Sequence, residues 1–237
     1  MTESLVPAVR TTPTMAEYIR AVFLAWPAVE TEPCTKAACA VLWAQYMIET
    51  GGKSCFGFNL ANAKRVPGDG HDYHMLKGVW EGLSASEAGR LVAAGQATYD
   101  TSEAHKRAVA PRVAVVFEPP HPATHFRAFP SLDVAMLEHL ALLRRRFSRG
   151  WPGVLAGDVV AFARGLHAQR YFTASPEAYA AGMRAPFAAA MASDAFERVR
   201  AETTPTEPPV EPDTGGPVHG TDIVDGAIAD RKLGPFS

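Results

Sequence analysis

One carboxylate stands out by its position. The run Trp43-Ala-Gln-Tyr-Met-Ile-Glu49 is apolar and reads as a helix, and it delivers Glu49 to the last turn just before Gly51-Gly52. An aromatic and amide-rich segment follows, Phe56-Gly-Phe58-Asn59-Leu-Ala-Asn62. A helix C-terminus disfavours an acid, because the dipole presents its negative end there. An apolar helix can hold such an acid partly buried, and burial penalises the charged form and raises the pKa. A general acid working near neutral pH needs that property. Cleavage of a glycosidic bond takes one such acid and, in most cases, a second carboxylate as base or nucleophile. The plainer reading is a surface glutamate at a helix end, and the groove-forming groups that follow favour the chemical one.

Glu81, on a probable β segment, and Glu118, on a Pro-Pro connector, are the candidates for the second carboxylate. Asp69 and Asp72 come third, in a turn where aspartate is common anyway. A substrate acetamido group assisting its own cleavage would need no close second acid. Phe58 and Glu118 are candidates for substrate binding, and Asn59 and Asn62 are candidates for hydrogen bonds to acetamido groups. Asparagines after a helix are also ordinary turn residues.

Two other chemistries compete. Asp69, His71 and His74, completed by His121 and His125, would make a metal site for a peptidase or amidase, but no HExxH helix is present. No metal and no cofactor is therefore expected. Cys55 with a histidine would make a thiol amidase. Activated thiols usually sit at helix N-termini, whereas Cys55 follows a C-terminus. Cys34, Cys39 and Cys55 have no zinc-like spacing and read as free, mostly buried thiols.

The elements that must position these groups are mainly helical. Thr14 and Glu17 form a capping box opening a helix through Trp26, which Pro27 ends. The Glu49 helix starts near Thr31 or Thr35. A turn at Pro67-Gly-Asp-Gly70 precedes one or two strands between Tyr73 and Glu81. Residues 84–94 and 103–109 read as helices of an inserted segment, 82–110. Val113–Phe117 is a strand by β-branching, and His125–Phe129 is expected to pair with it. Ser131, Asp158 and Ser175-Pro176 then open three helices, with a kink expected at Pro186. Arg144-Arg145-Arg146 suit a last helical turn better than a phosphate site. Residues 1–13 read as a flexible arm, 14–202 as the folded domain, and 203–237 as a Pro-rich linker and tail.

With 237 residues, 47% hydrophobic and 20% charged, the chain can build a core without disulfides or metal. A net charge of −2 argues against nucleic acid as partner. No apolar run approaches membrane-spanning length. Neither a basic start nor an apolar h-region marks the N-terminus, so synthesis in the cytoplasm without a signal peptide is expected.

Three blocks resemble the glucosaminidase family of peptidoglycan hydrolases, which are lysozyme-like. Ile48-Glu49-Thr-Gly51-Gly52-Lys53-Ser54 with Phe56-Gly57-Phe58-Asn59 resembles the family's LESGWGKS…NLFGIK block. Phe126-Arg127-Ala128-Phe129-Pro130-Ser131 is similar to its FRAYxS element. Leu166 through Tyr171-Phe172-Thr173-Ala174-Ser175-Pro176, with Tyr179-Ala180, is similar to its late GYATDPxYA. Two departures are visible: the tryptophan between the glycines and the late aspartate are missing.

The resemblance implies a mainly α fold with a small β-hairpin lobe. It also implies Glu49 as general acid, a β-lobe acid in the part open to Glu81, and Tyr171 in the groove near the reacting sugar. The implied substrate is the β-1,4-linked glycan of peptidoglycan, cut after N-acetylglucosamine or after N-acetylmuramic acid. Trp80-Glu81 and Glu118-Pro-Pro-His-Pro122 look like a branch of phage lysins and secreted antibacterial effectors. That branch implies a phage or secretion-apparatus carrier, action at the cell wall, and an immunity protein as partner. A binding module with a degenerate site is the non-enzymatic alternative.

Overall fold

Every residue from Ala38 to Tyr46 is buried, which makes the helix that carries them, α2 (Lys36–Glu49), the centre of the fold. A helix apolar on all sides must be surrounded, and the helices Met15–Ala25, Trp151–Ala156 and Pro176–Ala192 pack against it. The computed structural model describes residues 3–203 apart from Lys53 and Thr173. The tail expected at 203–237 lies outside the described residues except for Thr203, which ends the last helix.

The helical body comprises α1 (Met15–Ala25), α2, and five further helices. Ser131 caps the helix Leu132–Arg146, Gly150 precedes Trp151–Ala156, and Asp158 caps Val159–Ala168. Ser175 caps Pro176–Ala192, which runs through Pro186, and Ala195–Thr203 ends the body. The capping box at Thr14 is complete: Glu17 N donates to Thr14 Oγ1, and Thr14 N donates to Glu17 Oε2. Thr35 Oγ1 accepts from Ala38 N and starts α2.

The β lobe holds β1 (Arg10–Thr11), β2 (Cys55–Phe56), β3 (Tyr73–Met75), β4 (Val79–Leu83), β5 (Thr98–Tyr99), β6 (Val113–Phe117) and β7 (His125–Arg127). Two helices, α3 (Ala85–Ala93) and α4 (Glu103–Val109), complete it. In chain order the body helices after them are α5 (Leu132–Arg146), α6 (Trp151–Ala156), α7 (Val159–Ala168), α8 (Pro176–Ala192) and α9 (Ala195–Thr203). All strand pairs are antiparallel: β1 with β2, β3 with β7, and β4-β6-β5. The molecule is thus mainly α with small antiparallel sheets.

Several expectations need correction. Val113–Phe117 forms as expected but does not pair with the strand after the prolines. Both of its edges are occupied, by β4 and by β5, and the connector with its 3₁₀ turn at Pro122–Thr124 carries β7 to β3 instead. The inserted segment contains a strand, β5, as well as its two helices. Residues 1–13, expected to be a flexible arm, are strapped across the lobe where the structure describes them. Val6 N donates to Tyr73 O at 2.8 Å, Gly57 N to Val9 O at 2.8 Å, and Glu3 pairs with Arg65 at 2.7 Å.

Helices α6 and α9 carried no sequence expectation. Within α6, Pro152 stands in the first turn, where its missing N–H costs nothing, and Gly153 is what lets the helix form against α7. A Cβ at Gly153 would meet the backbone of Phe162.

Candidate active site

Glu49 sits where the central helix stops. Thr50 Oγ1 donates to Tyr46 O at 2.8 Å, and Gly52 N donates to Met47 O at 2.7 Å, satisfying carbonyls that the helix end leaves open. Gly51 and Gly52 both adopt left-handed backbone, with φ of 61° and 70°. That conformation favours glycine, so the tryptophan of the resembling motif is absent at a place where a side chain would be strained.

The acid is half-buried. Burial pushes its pKa up, and one hydrogen bond opposes that: Tyr179 Oη donates to Glu49 Oε1 at 2.8 Å. Tyr179 comes from α8, one turn after the Ser175-Pro176 helix start. Close packing of α8 on α2 brings it there, since at Gly182 even a Cβ would lie 2.5 Å from Ile48 Cδ1. Phe172 stacks on the Tyr179 ring, with centroids 4.1 Å apart and planes 6° apart, and fixes its orientation.

Tyr171, the expected groove residue, is half-buried. Its ring meets Phe147 edge-on at 4.8 Å, and its hydroxyl is buried. Burial first, then the nearby Glu49 carboxylate, push its pKa well above the ordinary tyrosine value. Tyr171 thus lies near the acid with its hydroxyl buried, and Tyr179 is the phenol that touches it. The resembling block ended on Tyr179-Ala180, and the four-residue step from Ser175 was the available signal.

A polar pair lies behind these phenols. Gln45, fully buried in α2, accepts through Oε1 at 3.1 Å from Nε2 of the buried His139 of α5. The Gln45 carboxamide lies beside both Tyr171 and Tyr179. Burial pushes the His139 pKa down to about 4, so its imidazole is neutral at pH 7.

The asparagines divide. Asn59 is buried and turns inward: its Nδ2 donates to the carbonyls of Ala63 and Arg127, and its Oδ1 accepts from Ala63 N. Its hydrogen bonds shape the loop. Asn62, exposed and at φ 51°, donates to the Glu49 carbonyl at 2.7 Å. Phe58 is half-buried, donates from its backbone N to Thr11 Oγ1 at 3.2 Å, and borders a cavity of about 400 Å³ with Glu17 and Leu132.

Of the second-acid candidates, Glu81 lies on β4 and pairs with Lys64 at 2.9 Å. Lys64 is two residues from Asn62, a chain reach of at most about 7 Å. One short segment therefore holds the Glu49 carbonyl at one end and the Glu81 carboxylate at the other. Glu118 instead accepts from Gly78 N at 3.1 Å and borders a cavity of about 370 Å³ with Gly95–Thr98 and His121. Asp69 is bound to Arg127 at 2.6 Å, and Asp72 accepts from Ser4 N at 2.9 Å.

A cavity of about 520 Å³ separates Gly82 and Ala108–Arg112 of the lobe from Ala174 and Ser175 of the body. Ser175 O accepts from Tyr179 N, which places this opening one helical turn from the Glu49 partner. The imidazoles considered for a metal are engaged separately. His121 Nδ1 accepts from Ala123 N, and His74 is buried with its ring stacked on Phe126. No group of three or more His, Cys, Asp or Glu converges among the described residues. Cys55 is buried with its Sγ 3.0 Å from Thr11 Oγ1.

No protein-family model matches this chain, and no curated protein does. Among solved structures it is similar to a peptidoglycan hydrolase from Sphingomonas sp. A1. The identity is 18% over 83% of this chain and 99% of that one, with a TM-score of 0.37. A mutant of peptidoglycan hydrolase from the same organism gives 20% identity over 78% and 99%, with a TM-score of 0.34.

Proposed function

We propose that this chain is a lysozyme-like peptidoglycan hydrolase that cleaves the β-1,4 glycosidic bond of the glycan, with Glu49 as proton donor. The observation that carries this reading is the state of Glu49: a half-buried carboxyl with raised pKa, held by a phenol one helical turn from Ser175, which borders the opening between lobe and body. The peptidoglycan substrate rests on the sequence blocks around Glu49, Phe126 and Tyr179.

In this reading Glu49 gives its proton to the leaving glycosidic oxygen. The Tyr179 hydroxyl then donates to the carboxylate that forms, stabilising the charge left in a poorly solvated place. Glu81, paired with Lys64, is the second carboxylate, acting as base or nucleophile. Delivery to the cell wall by a phage or secretion carrier belongs to the same proposal. It rests on Trp80-Glu81 and the Glu118-Pro-Pro-His-Pro122 connector.

Digestion of purified sacculi with mass spectrometry of the released fragments is the test. New reducing-end sugars are expected, and their identity tells which of the two bonds is cut. Glu49→Gln is expected to lower release by roughly 10²–10⁴-fold while the protein still pellets with sacculi. Wild-type protein that pellets but releases nothing would sink the enzyme reading in favour of a binding module. Intact glycan with cleaved stem peptides would replace it with an amidase or peptidase.

A further inference from the structure

The turn entering α2 brings two thiols together. Thr35 is the N-cap of α2, so Cys34 stands immediately before the cap and Cys39 at the fourth helical position. These two positions meet at many helix starts, where apolar side chains staple the incoming chain to the first turns. Here both are cysteines, and their Sγ atoms lie 3.4 Å apart. A disulfide has an S–S distance of about 2.05 Å, so closure takes a movement of about 1.4 Å. Cys39 is buried in the core. Cys34 is half-buried and opens on a surface cavity of about 450 Å³, bordered also by Phe23, Trp26 and Pro33. Cys55 is buried elsewhere, against Thr11.

We propose that Cys34 and Cys39 are a covalent modification site that closes to an intramolecular disulfide by exchange with a small-molecule disulfide such as oxidised glutathione. This inference is independent of the hydrolase reading. Cys34, the accessible sulfur, attacks as thiolate and forms a mixed disulfide, releasing one glutathione thiolate. Cys39 then gives up its proton and attacks Cys34 Sγ, releasing the second glutathione. Two electrons pass from the protein to the glutathione disulfide, and the two cysteine protons end on the two glutathione thiols. The contact with Cys34, and then burial, hold Cys39 in its thiol form, which suits the group that reacts second. The second step is intramolecular between sulfurs the fold already holds close, so it outruns attack by a free thiol. The crosslink ties the segment before α2 to the helix whose other end carries Glu49.

The sequence makes the test direct. Trypsin cuts after Lys36, between the two cysteines, leaving Cys34 on fragment 21–36, Cys39 on 37–53 and Cys55 on 54–64. After the full chain is treated with oxidised glutathione and its remaining thiols are alkylated, fragments 21–36 and 37–53 are expected to stay joined. Their combined mass is expected to be about 2 Da below the two thiol peptides. The melting temperature is expected to rise by roughly 3–8 °C and to fall back on reduction, and Cys34→Ser is expected to abolish both effects. Three alkylated cysteines, a lasting glutathione adduct on Cys34, or linkage through Cys55 overturns the site. A joined pair with an unchanged melting temperature overturns its role as a lock on α2.

Discussion

The phenol of Tyr179 donates to Oε1 of Glu49 at 2.8 Å, joining α8 to the last turn of the central helix. Two opposing influences meet there. Burial favours the protonated acid, and the phenol favours the carboxylate. Removing the phenol leaves burial unopposed, so Tyr179→Phe should push the Glu49 pKa further up. In the proposed reaction the basic limb of the pH–rate profile moves to higher pH, while the maximal rate falls on the order of 10-fold because the forming carboxylate loses its donor. Sacculus release measured across pH checks both. A profile that keeps its basic limb would show that the bond does not tune the acid.

Glu49 also ties stability to pH. Its folded pKa lies above the unfolded value, so its favourable contribution is present below the unfolded pKa and is lost as pH rises through the folded one. The wild type should therefore weaken relative to Glu49→Gln as pH rises. Melting temperatures of the two proteins are expected to be close at pH 4, with the glutamine variant pulling ahead toward pH 8. A gap that shrinks with rising pH would contradict the buried-acid assignment.

Glu81 and Glu118 occupy different surroundings, and parallel substitutions separate them. Glu81→Gln is expected to lower glycan release by on the order of 10²-fold. Glu118→Gln keeps a carbonyl oxygen for Gly78 N, removes only the charge of an exposed side chain, and should leave the rate within about twofold. The reverse pattern would assign the second carboxylate to the connector.

His139 supplies a second, opposite pH dependence. Its pKa falls from about 6.5 in the unfolded chain to about 4 in the fold. Between those values the unfolded chain binds the extra proton, so the fold loses stability as pH drops from 6.5 toward 4. The full loss is on the order of 3 kcal/mol. His139→Phe leaves Gln45 without its partner and should cost about 1–3 kcal/mol at pH 7, yet it removes the acid-side loss. Urea unfolding at pH 7 and at pH 4.5 is expected to show the two proteins converging at the lower pH.

Helices α6 and α7 approach through glycine. A Cβ at Gly153 or Gly165 would strike the backbone of Phe162 or of Arg149 and Gly150, respectively. Alanine at either position should cost about 1–3 kcal/mol in denaturant titration. Gly89, in α3, faces only the Tyr99 hydroxyl at 3.9 Å. Alanine there should stabilise by about 0.5–1 kcal/mol.

Helix starts were readable because their signals are local. The Thr14–Glu17 box, Ser131, Asp158 and Ser175-Pro176 each satisfy amides within three residues, and no distant part of the chain changes that. The burial of α2 and the place of Glu49 at its end were readable for a related reason. A helix apolar on every side has to be enclosed, and Gly51-Gly52 has to stop it.

Assignments that depend on partners far along the chain were not available locally. Strand β7 reads equally well beside β6 or β3, and occupation of both β6 edges decided the matter. The N-terminal segment has no core of its own, and pairing with residues some sixty positions away gives it order. Tyr171 and Tyr179 are both tyrosines near a helix start, equally able to donate to a carboxylate. The sequence by itself determined that Glu49 would be an acid held at a helix end against an apolar body. Only the tertiary structure decided which phenol meets it, because that depends on how closely α8 packs across Gly182 onto α2.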